Sequence, residues 1–309
     1  MQQPVTPPII RLAVPWKGIG ALVLATFCWG FAPVLGKDAL SSLPPLTVLI
    51  VQLATSSALL WIAVAILRIP LPPLNRHILR LTLMGILAPG LTATLLVFGL
   101  TYTTASNAAL LITIEPLLII FLAWLLLREH VTGLLVALAV LASIGVILVA
   151  GGHAPTSTNT SILGNLLLVA GSGCMGLYVV LMRQSTTTMA SLLLVALQQT
   201  SGFAWAIILW TANLVPDYAA TPTGTSLTGW GSAAASGMLE YALAFWFYLI
   251  GLRAVPASVA AFFLNLTPIF GISGAYLMLG ERLQAVQWLG AALILIGVAS
   301  VSKLHGTPE

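Results

Sequence analysis

Charge is scarce in this sequence. Only 6% of its 309 residues are Asp, Glu, Lys or Arg, against about 25% in a soluble domain. So few polar groups cannot cover a globular surface, which excludes an ordinary water-soluble fold. Cysteine is nearly absent. Cys28 and Cys174 both stand inside apolar runs, so no disulfide framework is implied. There is no P-loop, no HExxH and no Cys/His set with metal-ligand spacing. Nothing therefore supports nucleotide hydrolysis, metal catalysis or a bound cofactor. Every Lys and Arg lies at or near the end of an apolar run, which argues against a strongly anionic substrate. The same placement makes the excess positive charge an orientation signal rather than a nucleic-acid surface.

What is abundant is hydrophobicity, 59% of residues, with mean hydropathy +1.07. A spanning helix needs about 20 mainly apolar residues. Ten runs qualify, at 17–36, 46–67, 79–100, 105–127, 132–150, 162–182, 189–211, 228–251, 257–279 and 284–302. Turn chemistry separates them, as in Leu43-Pro44-Pro45, Pro70 to Asn75, Gly151 to Pro155 and Pro216-Asp217. Arg11 and Lys17 precede the first run, but no small-x-small cleavage site follows, so it reads as a retained helix. With the N-terminus in the cytoplasm, Arg11, Lys17, Arg68, Arg76, Arg80, Arg128, Arg183, Arg253 and Lys303 fall inside, and Lys37 and Arg282 outside. That is a positive-inside bias, and it predicts both termini in the cytoplasm.

The chain also repeats itself. Pairing Pro116 with Pro268 aligns Ala105 with Ala257, Ser106 with Ser258, Leu127 with Leu279, Glu129 with Glu281 and Gly145 with Gly297. Upstream, Gly85 meets Gly237 and Gly99-Leu100 meets Gly251-Leu252. In the first runs, Cys28-Trp29-Gly30 echoes Cys174-Met175-Gly176. Such identities in one frame mark an internal repeat. The polar stretch after Ala150 divides it into 1–153 and 154–309. Five spans is an odd number, so the second unit enters the membrane from the opposite side. The fold class predicted is an all-α membrane protein, ten helices in two inverted five-helix repeats around a central cavity. Inverted repeats are typical of secondary transporters, with the substrate near mid-membrane between them.

Several residues break the apolar rule. Glu115 is ten residues into the fourth run, about 15 Å deep at 1.5 Å per residue, in a core about 30 Å thick. An acidic group there costs about 2.5–3.5 kcal/mol on insertion scales. Glu240 is equally central in the eighth run. Neither has a cationic residue at its depth, so each faces a wet cavity, is protonated, or both. The roles left open are substrate-ammonium binding, a proton site, or a hydrogen bond to a neighbouring helix. Pro116 and Pro268 free the carbonyls of Ile112 and Leu264. They read as paired hinges or as static kinks. Ser258, Phe262 and Asn265 share one face of the ninth run. Asn265 and Asn107 are amides that either bind a ligand or join helices. Trp29, Tyr178 and Tyr241 are candidate cavity aromatics, with packing as the alternative, while Tyr102 belongs to the interfacial belt. Glu129 and Glu281 read as structural, capping the next helix or pairing with nearby cations.

These residues resemble a known family. Trp29-Gly30 with Lys37 looks like the first-helix pattern of the drug/metabolite transporter superfamily, EamA type. Ala105-Ser106, Pro116 and Leu127-x-Glu129 look like its fourth-helix pattern, which Ala257-Ser258, Pro268 and Leu279-Gly280-Glu281 repeat. The resemblance covers about Lys17 to Ser302. Within the superfamily the chain looks most like the bacterial YddG-type exporters of aromatic amino acids. The resemblance implies a multi-pass protein of the bacterial inner membrane, with helices one, three, four, six, eight and nine lining a cavity. It favours Trp29, Glu115, Tyr178, Glu240, Tyr241 and Asn265 as lining residues; Phe262 joins them from the shared face of the ninth run. One departure stands out. Glu115 precedes Pro116, but Thr267 precedes Pro268, which puts a symmetric two-carboxylate mechanism in doubt.

The reading is a transporter, not an enzyme. It exports small organic metabolites, preferentially hydrophobic or aromatic amino acids, by alternating access. Its partners are that small molecule and the bilayer, with no nucleic acid, and a single chain suffices because it holds both repeats. The principal rival is a proton-coupled exporter of cationic drugs using Glu115 or Glu240. A membrane-embedded enzyme would need a nucleophile, a metal or an acid/base pair within reach, and the sequence offers only two isolated glutamates.

Overall fold

The computed structural model describes residues 16–73, 75–102, 111, 114–150, 162–185, 189–212, 226–279 and 285–306. The expectations for Ala105, Ser106, Asn107, Ile112 and the segment Gly280 to Arg282 lie outside them, as does the division at 153/154. Every element among the described residues is helical. We label them α1 (Trp16–Ser42), α2 (Pro45–Ile66), α3a (Arg76–Gly85), α3b (Thr92–Thr101), α4 (Glu115–Leu127), α5 (Gly133–Ala150), α6 (Ile162–Gln184), α7 (Ser191–Thr211), α8a (Leu227–Gly237), α8b (Ala244–Ala254), α9a (Ala257–Phe263), α9b (Thr267–Leu279) and α10 (Ala285–Gly306).

Among the described residues, six helices are long and apolar enough to cross a membrane, at Trp16–Gly36, Pro45–Ile66, Arg76–Leu96, Ile162–Gln184, Ser191–Thr211 and Leu227–Ala254. Four apolar helices are shorter, at Glu115–Leu127, Gly133–Leu148, Ala257–Gly271 and Ala285–Val301. Local chemistry sets the helix ends. Proline opens α2, where its missing N–H costs nothing. The Asn75 side chain accepts the Ile78 N–H at 2.8 Å and caps α3a. Arg128 ends α4 in a left-handed conformation, φ 55°. Threonines inside the apolar helices satisfy themselves on the preceding turn, as in Thr26 to Leu22 at 3.1 Å and Thr200 to Ala196 at 2.8 Å.

Two of the predicted continuous spans are interrupted by wide turns. Between α3a and α3b, Ile86–Leu91 forms a π-helical turn in which Ala88 leaves the helical region (φ −145°, ψ 124°), with Pro89 next to it. Between α8a and α8b, Met238–Leu243 forms a second π-helical turn without proline. Gly85 and Gly237 stand immediately before these two turns. Each allows a close helix crossing. A Cβ on Gly85 would overlap the Gln198 carbonyl of α7, and one on Gly237 would overlap the Gln52 backbone of α2.

The packing is exchanged between the two halves of the chain. Helix α1 packs mainly against α8a, α8b and α9b, and only slightly against α2. Helix α6 packs mainly against α3b and α4. Helix α2 lies on α7 and α8a, while α7 lies on α2 and α3a. Helix α5 lies on α10, and α4 on α9a. At the level of whole helices, renaming α1–α5 as α6–α10, and the reverse, leaves this pattern unchanged, although α1 also packs on α8a whereas α6 reaches α3 chiefly through α3b. Close contacts repeat in the same way: a Cβ on Gly99 would lie 3.1 Å from the Gly164 carbonyl, and one on Gly251 would lie 3.1 Å from the Gly18 carbonyl.

Candidate functional site

An aromatic cluster forms where α1, α6 and the two parts of α8 meet. The Trp29 indole lies 5.5 Å from the Phe245 ring and 5.2 Å from the Tyr248 ring. Tyr178 stands 5.9 Å from Phe245, and Tyr241 stacks on Phe245 at 6.3 Å. Tyr241, Phe245 and Tyr248 share one helix face by their spacing of four and three. Sequence reasoning missed Phe245 and Tyr248. That spacing, counted from Tyr241, was the signal that could have found them.

The three phenols are in different situations. Tyr178 is buried, 1% exposed, and its hydroxyl donates to Gln198 Oε1 at 2.8 Å. Gln198 in turn donates to the Leu81 carbonyl at 3.1 Å, tying α6 to α7 and α3a. Tyr241 lies within interaction range of its neighbour Glu240. The Tyr248 hydroxyl is buried and has no hydrogen-bond partner. It lies within electrostatic range of Glu115 and Tyr178.

Glu115 is the first residue of α4, and Glu240 sits inside the π-helical turn of α8. Wide turns of this kind are frequent at functional sites because they re-aim a side chain. Both glutamates are half-buried. Trp29 is half-buried as well. By contrast Phe262 is fully buried, and its ring tip lies 3.1 Å from where a Cβ on Gly297 would stand, so it packs toward α10. Asn265 is 2% exposed and donates to the Phe262 carbonyl at 2.9 Å within its own helix. The structure thus brings Trp29, Tyr178, Tyr241, Glu115 and Glu240 toward one region. It gives Phe262 and Asn265 contacts within the packing of α9 and α10.

The two prolines occupy matching positions at the start of a helical segment. Pro116 and Pro268 each stand in the first turn of a helical segment, α4 and α9b. A turn of 3₁₀ helix, Leu264–Leu266, precedes α9b. Pro268 removes one donor from the Leu264 carbonyl, and the Thr267 N–H takes its place. The freed carbonyl is therefore satisfied, at the cost of a change in helix pitch. The equivalent position before Pro116 lies outside the described residues.

A second junction lies at the far end of α4. The Glu129 carboxylate accepts the Ala257 N–H at 2.8 Å, the Ser258 N–H at 3.1 Å and the Ser258 hydroxyl at 2.7 Å. It caps α9a, so the expected structural role holds. The helix it caps is in the other half of the chain rather than next in sequence. A surface depression near this point is lined by Trp124, Leu125, Arg128, Glu129, His130 and Val131. It lies at the end of α4 opposite Glu115 and away from the aromatic cluster. Among the described residues no three His, Cys, Asp or Glu side chains are grouped to hold a metal.

Comparison with known proteins agrees with this architecture. An uncharacterized transporter, YyaM, of Bacillus subtilis (strain 168) is 28% identical over 213 residues, covering 68% of each chain. A probable terminal-alkyne amino-acid exporter of Streptantibioticus cattleyicolor is 28% identical over 300 residues, covering 93% of this chain and 94% of that one. A solved crystal structure superposes with a TM-score of 0.73 at 18% identity, covering 94% of this chain and 97% of the other, which speaks to the fold alone. The profile of the EamA-like transporter family matches the chain twice, over residues 16–151 and 162–303. With both halves matched and membrane-length apolar helices in each, the protein is a membrane transporter and belongs to the EamA-like transporter family.

Proposed function

We propose that this transporter exports small organic metabolites, with hydrophobic and aromatic amino acids as its substrates, by alternating access. The observation that carries the reading is the aromatic cluster with two half-exposed glutamates, built from α1, α4, α6 and α8 and therefore from both halves. A zwitterion with an apolar side chain matches such a site. Its charges find polar partners while its side chain meets rings. The exporter of Streptantibioticus cattleyicolor, similar over nearly its whole length, carries an amino-acid substrate in its name.

The architecture proposed with it is ten spans in two inverted five-helix repeats, 1–153 and 154–309. Both termini are cytoplasmic, in the inner membrane of a bacterial cell. The exchange of contacts between halves supports the repeats. The clustering of Arg and Lys at one set of helix ends supports the orientation. A single chain supplies both halves, so the working unit is a monomer. In this orientation the Glu129 junction lies on the cytoplasmic side, where it holds α4 to α9a. The state is then closed toward the cytoplasm, and Pro116 and Pro268 are the hinges about which α4 and α9b re-open it.

The test is uptake into proteoliposomes of radiolabelled phenylalanine and, separately, of tetraphenylphosphonium, with and without an imposed pH gradient. Saturable phenylalanine uptake is the expected result. Gradient-dependent tetraphenylphosphonium uptake without phenylalanine uptake would replace this reading with a proton-coupled exporter of organic cations.

A further inference from the structure

The polar groups of the aromatic cluster divide into those already engaged and those left over. Tyr178 is held by Gln198. Tyr241 and Glu240 are chain neighbours within interaction range of each other. Gln198 is filled by Tyr178 and the Leu81 carbonyl. What remains is one carboxylate and one hydroxyl. Glu115 has no hydrogen bond or ion pair among the described residues, and it is half-exposed. Tyr248 is 1% exposed, and its hydroxyl is buried without a partner. A buried hydroxyl left unsatisfied costs about 1–3 kcal/mol, so such groups in folded proteins await a water, an ion or a ligand.

The two leftover groups belong together. Tyr248 stands in range of Glu115, and its ring packs 5.2 Å from the Trp29 indole. The pair is thus a half-buried carboxylate in electrostatic range of an unpartnered hydroxyl whose ring packs on an indole. A tyrosine has one proton to donate and lone pairs to accept. A third group placed between them can donate one N–H to the Glu115 carboxylate and another to the Tyr248 hydroxyl. That third group must be a cation. A second carboxylate placed there would face Glu115 in a low-dielectric interior, where like charges repel strongly. A cation is attracted by the carboxylate and also by the face of Trp29.

We propose that Glu115 and Tyr248 form the ammonium subsite of the transporter, which takes a primary ammonium group carrying an aromatic or aliphatic side chain. The proposal deepens the exporter reading and rests on it. The subsite recognises the amine end of the substrate, so a carboxylate is not required. Aromatic amines without a carboxylate then bind, and aromatic acids without an amine do not.

The experiment measures binding of radiolabelled phenethylamine to the purified full-length chain by scintillation proximity, with phenylalanine and 3-phenylpropionate as competitors. Phenethylamine is expected to bind saturably and to be displaced by phenylalanine. Displacement by 3-phenylpropionate is expected to be at least about tenfold weaker, the scale of one charge-assisted contact. Glu115→Gln removes the charge with little change of shape and weakens phenethylamine by about tenfold or more. Tyr248→Phe keeps the ring and weakens it by about threefold or more. Glu115→Asp retains part of the binding.

The proposal is overturned if phenethylamine does not bind, if 3-phenylpropionate displaces it as well as phenylalanine does, or if Glu115→Gln leaves binding unchanged. Should a variant not yield monodisperse protein, the competitor series on the unaltered chain decides alone. Phenylalanine uptake by the unaltered chain in proteoliposomes separates the two claims. Uptake with no amine binding removes the subsite and keeps the exporter. Glu115-dependent amine binding with no phenylalanine uptake keeps the subsite and removes the amino-acid reading.

Discussion

The two halves of this transporter share helix crossings and differ in chemistry. Helices α3 and α8 each bring a glycine against the opposite half, Gly85 on Gln198 and Gly237 on Gln52, and each then loosens into a π-helical turn. In the first half that turn holds Ala88 and Pro89. In the second it holds Glu240 and Tyr241. The prolines of α4 and α9b show the same contrast, since Glu115 precedes one and Thr267 the other. Close crossings and pitch changes are imposed by packing and recur in both halves. Side chains beside the aromatic cluster are under no such symmetry. The comparison separates residues that shape the bundle from residues that select what enters it.

The strongest way to break the comparison is to fill the shared crossings. Gly85→Leu or Gly237→Leu forces a side chain into the backbone of α7 or α2, where no flexible neighbour can yield. Overpacking against fixed backbone costs about 3 kcal/mol or more, so both variants should lose monodisperse protein on size exclusion. If one is tolerated and the other is not, the crossings are not equivalent. A second change probes the asymmetry. Glu115→Gln should lower phenylalanine uptake by about tenfold or more, while Thr267→Val at the matching position changes it by less than about threefold. Equal losses would mean that the position before the proline works by shape rather than by charge.

A smaller effect is expected at the junction between halves. Glu129→Gln keeps one acceptor and loses the charge that the α9a N-terminus favours. It should destabilise by about 1–2 kcal/mol, read as a lowered Tm, with Ser258→Ala costing about half as much. The smallest change is Tyr178→Phe. It removes one neutral hydrogen bond to Gln198 for about 1 kcal/mol and leaves the ring packing in place. A large loss of uptake from this variant would assign Tyr178 a substrate contact in place of the structural one seen here.

Much of this organisation is legible in the sequence, because it rests on period and spacing. The pairing of Pro116 with Pro268 gives the frame of the repeat, and the apolar runs give the helices. The identity of Gly85 and Gly237 is visible too, but not what each glycine faces, since Gln198 and Gln52 are distant in sequence. The π-helical turns leave no mark in composition; only one of them contains a proline. Phe245 and Tyr248 were hidden because aromatic residues are common in apolar helices, and their alignment with Tyr241 matters only once Trp29 is known to face them. Phe262 and Asn265 look like site residues on a helical wheel. A wheel cannot tell which side the neighbour occupies, and here α10 fills the place beside Phe262. Glu129 reads as structural from its position at a helix end, yet the helix it caps is more than a hundred positions away.

The exchanged packing of α1 and α6 has a consequence for how the molecule is made. While the first half is being inserted, α1 has few neighbours of its own; its partners α8 and α9b have not yet left the ribosome. Glu129 likewise waits for Ala257 and Ser258. The early half therefore sits in the bilayer as loosely associated helices, held by lipid and by the insertion machinery. The bundle closes only when the late helices arrive and thread their contacts back onto α1. Truncation at the middle of the chain would leave two incomplete assemblies rather than two small transporters. Expressed together as separate pieces, the halves have to find each other before either is folded.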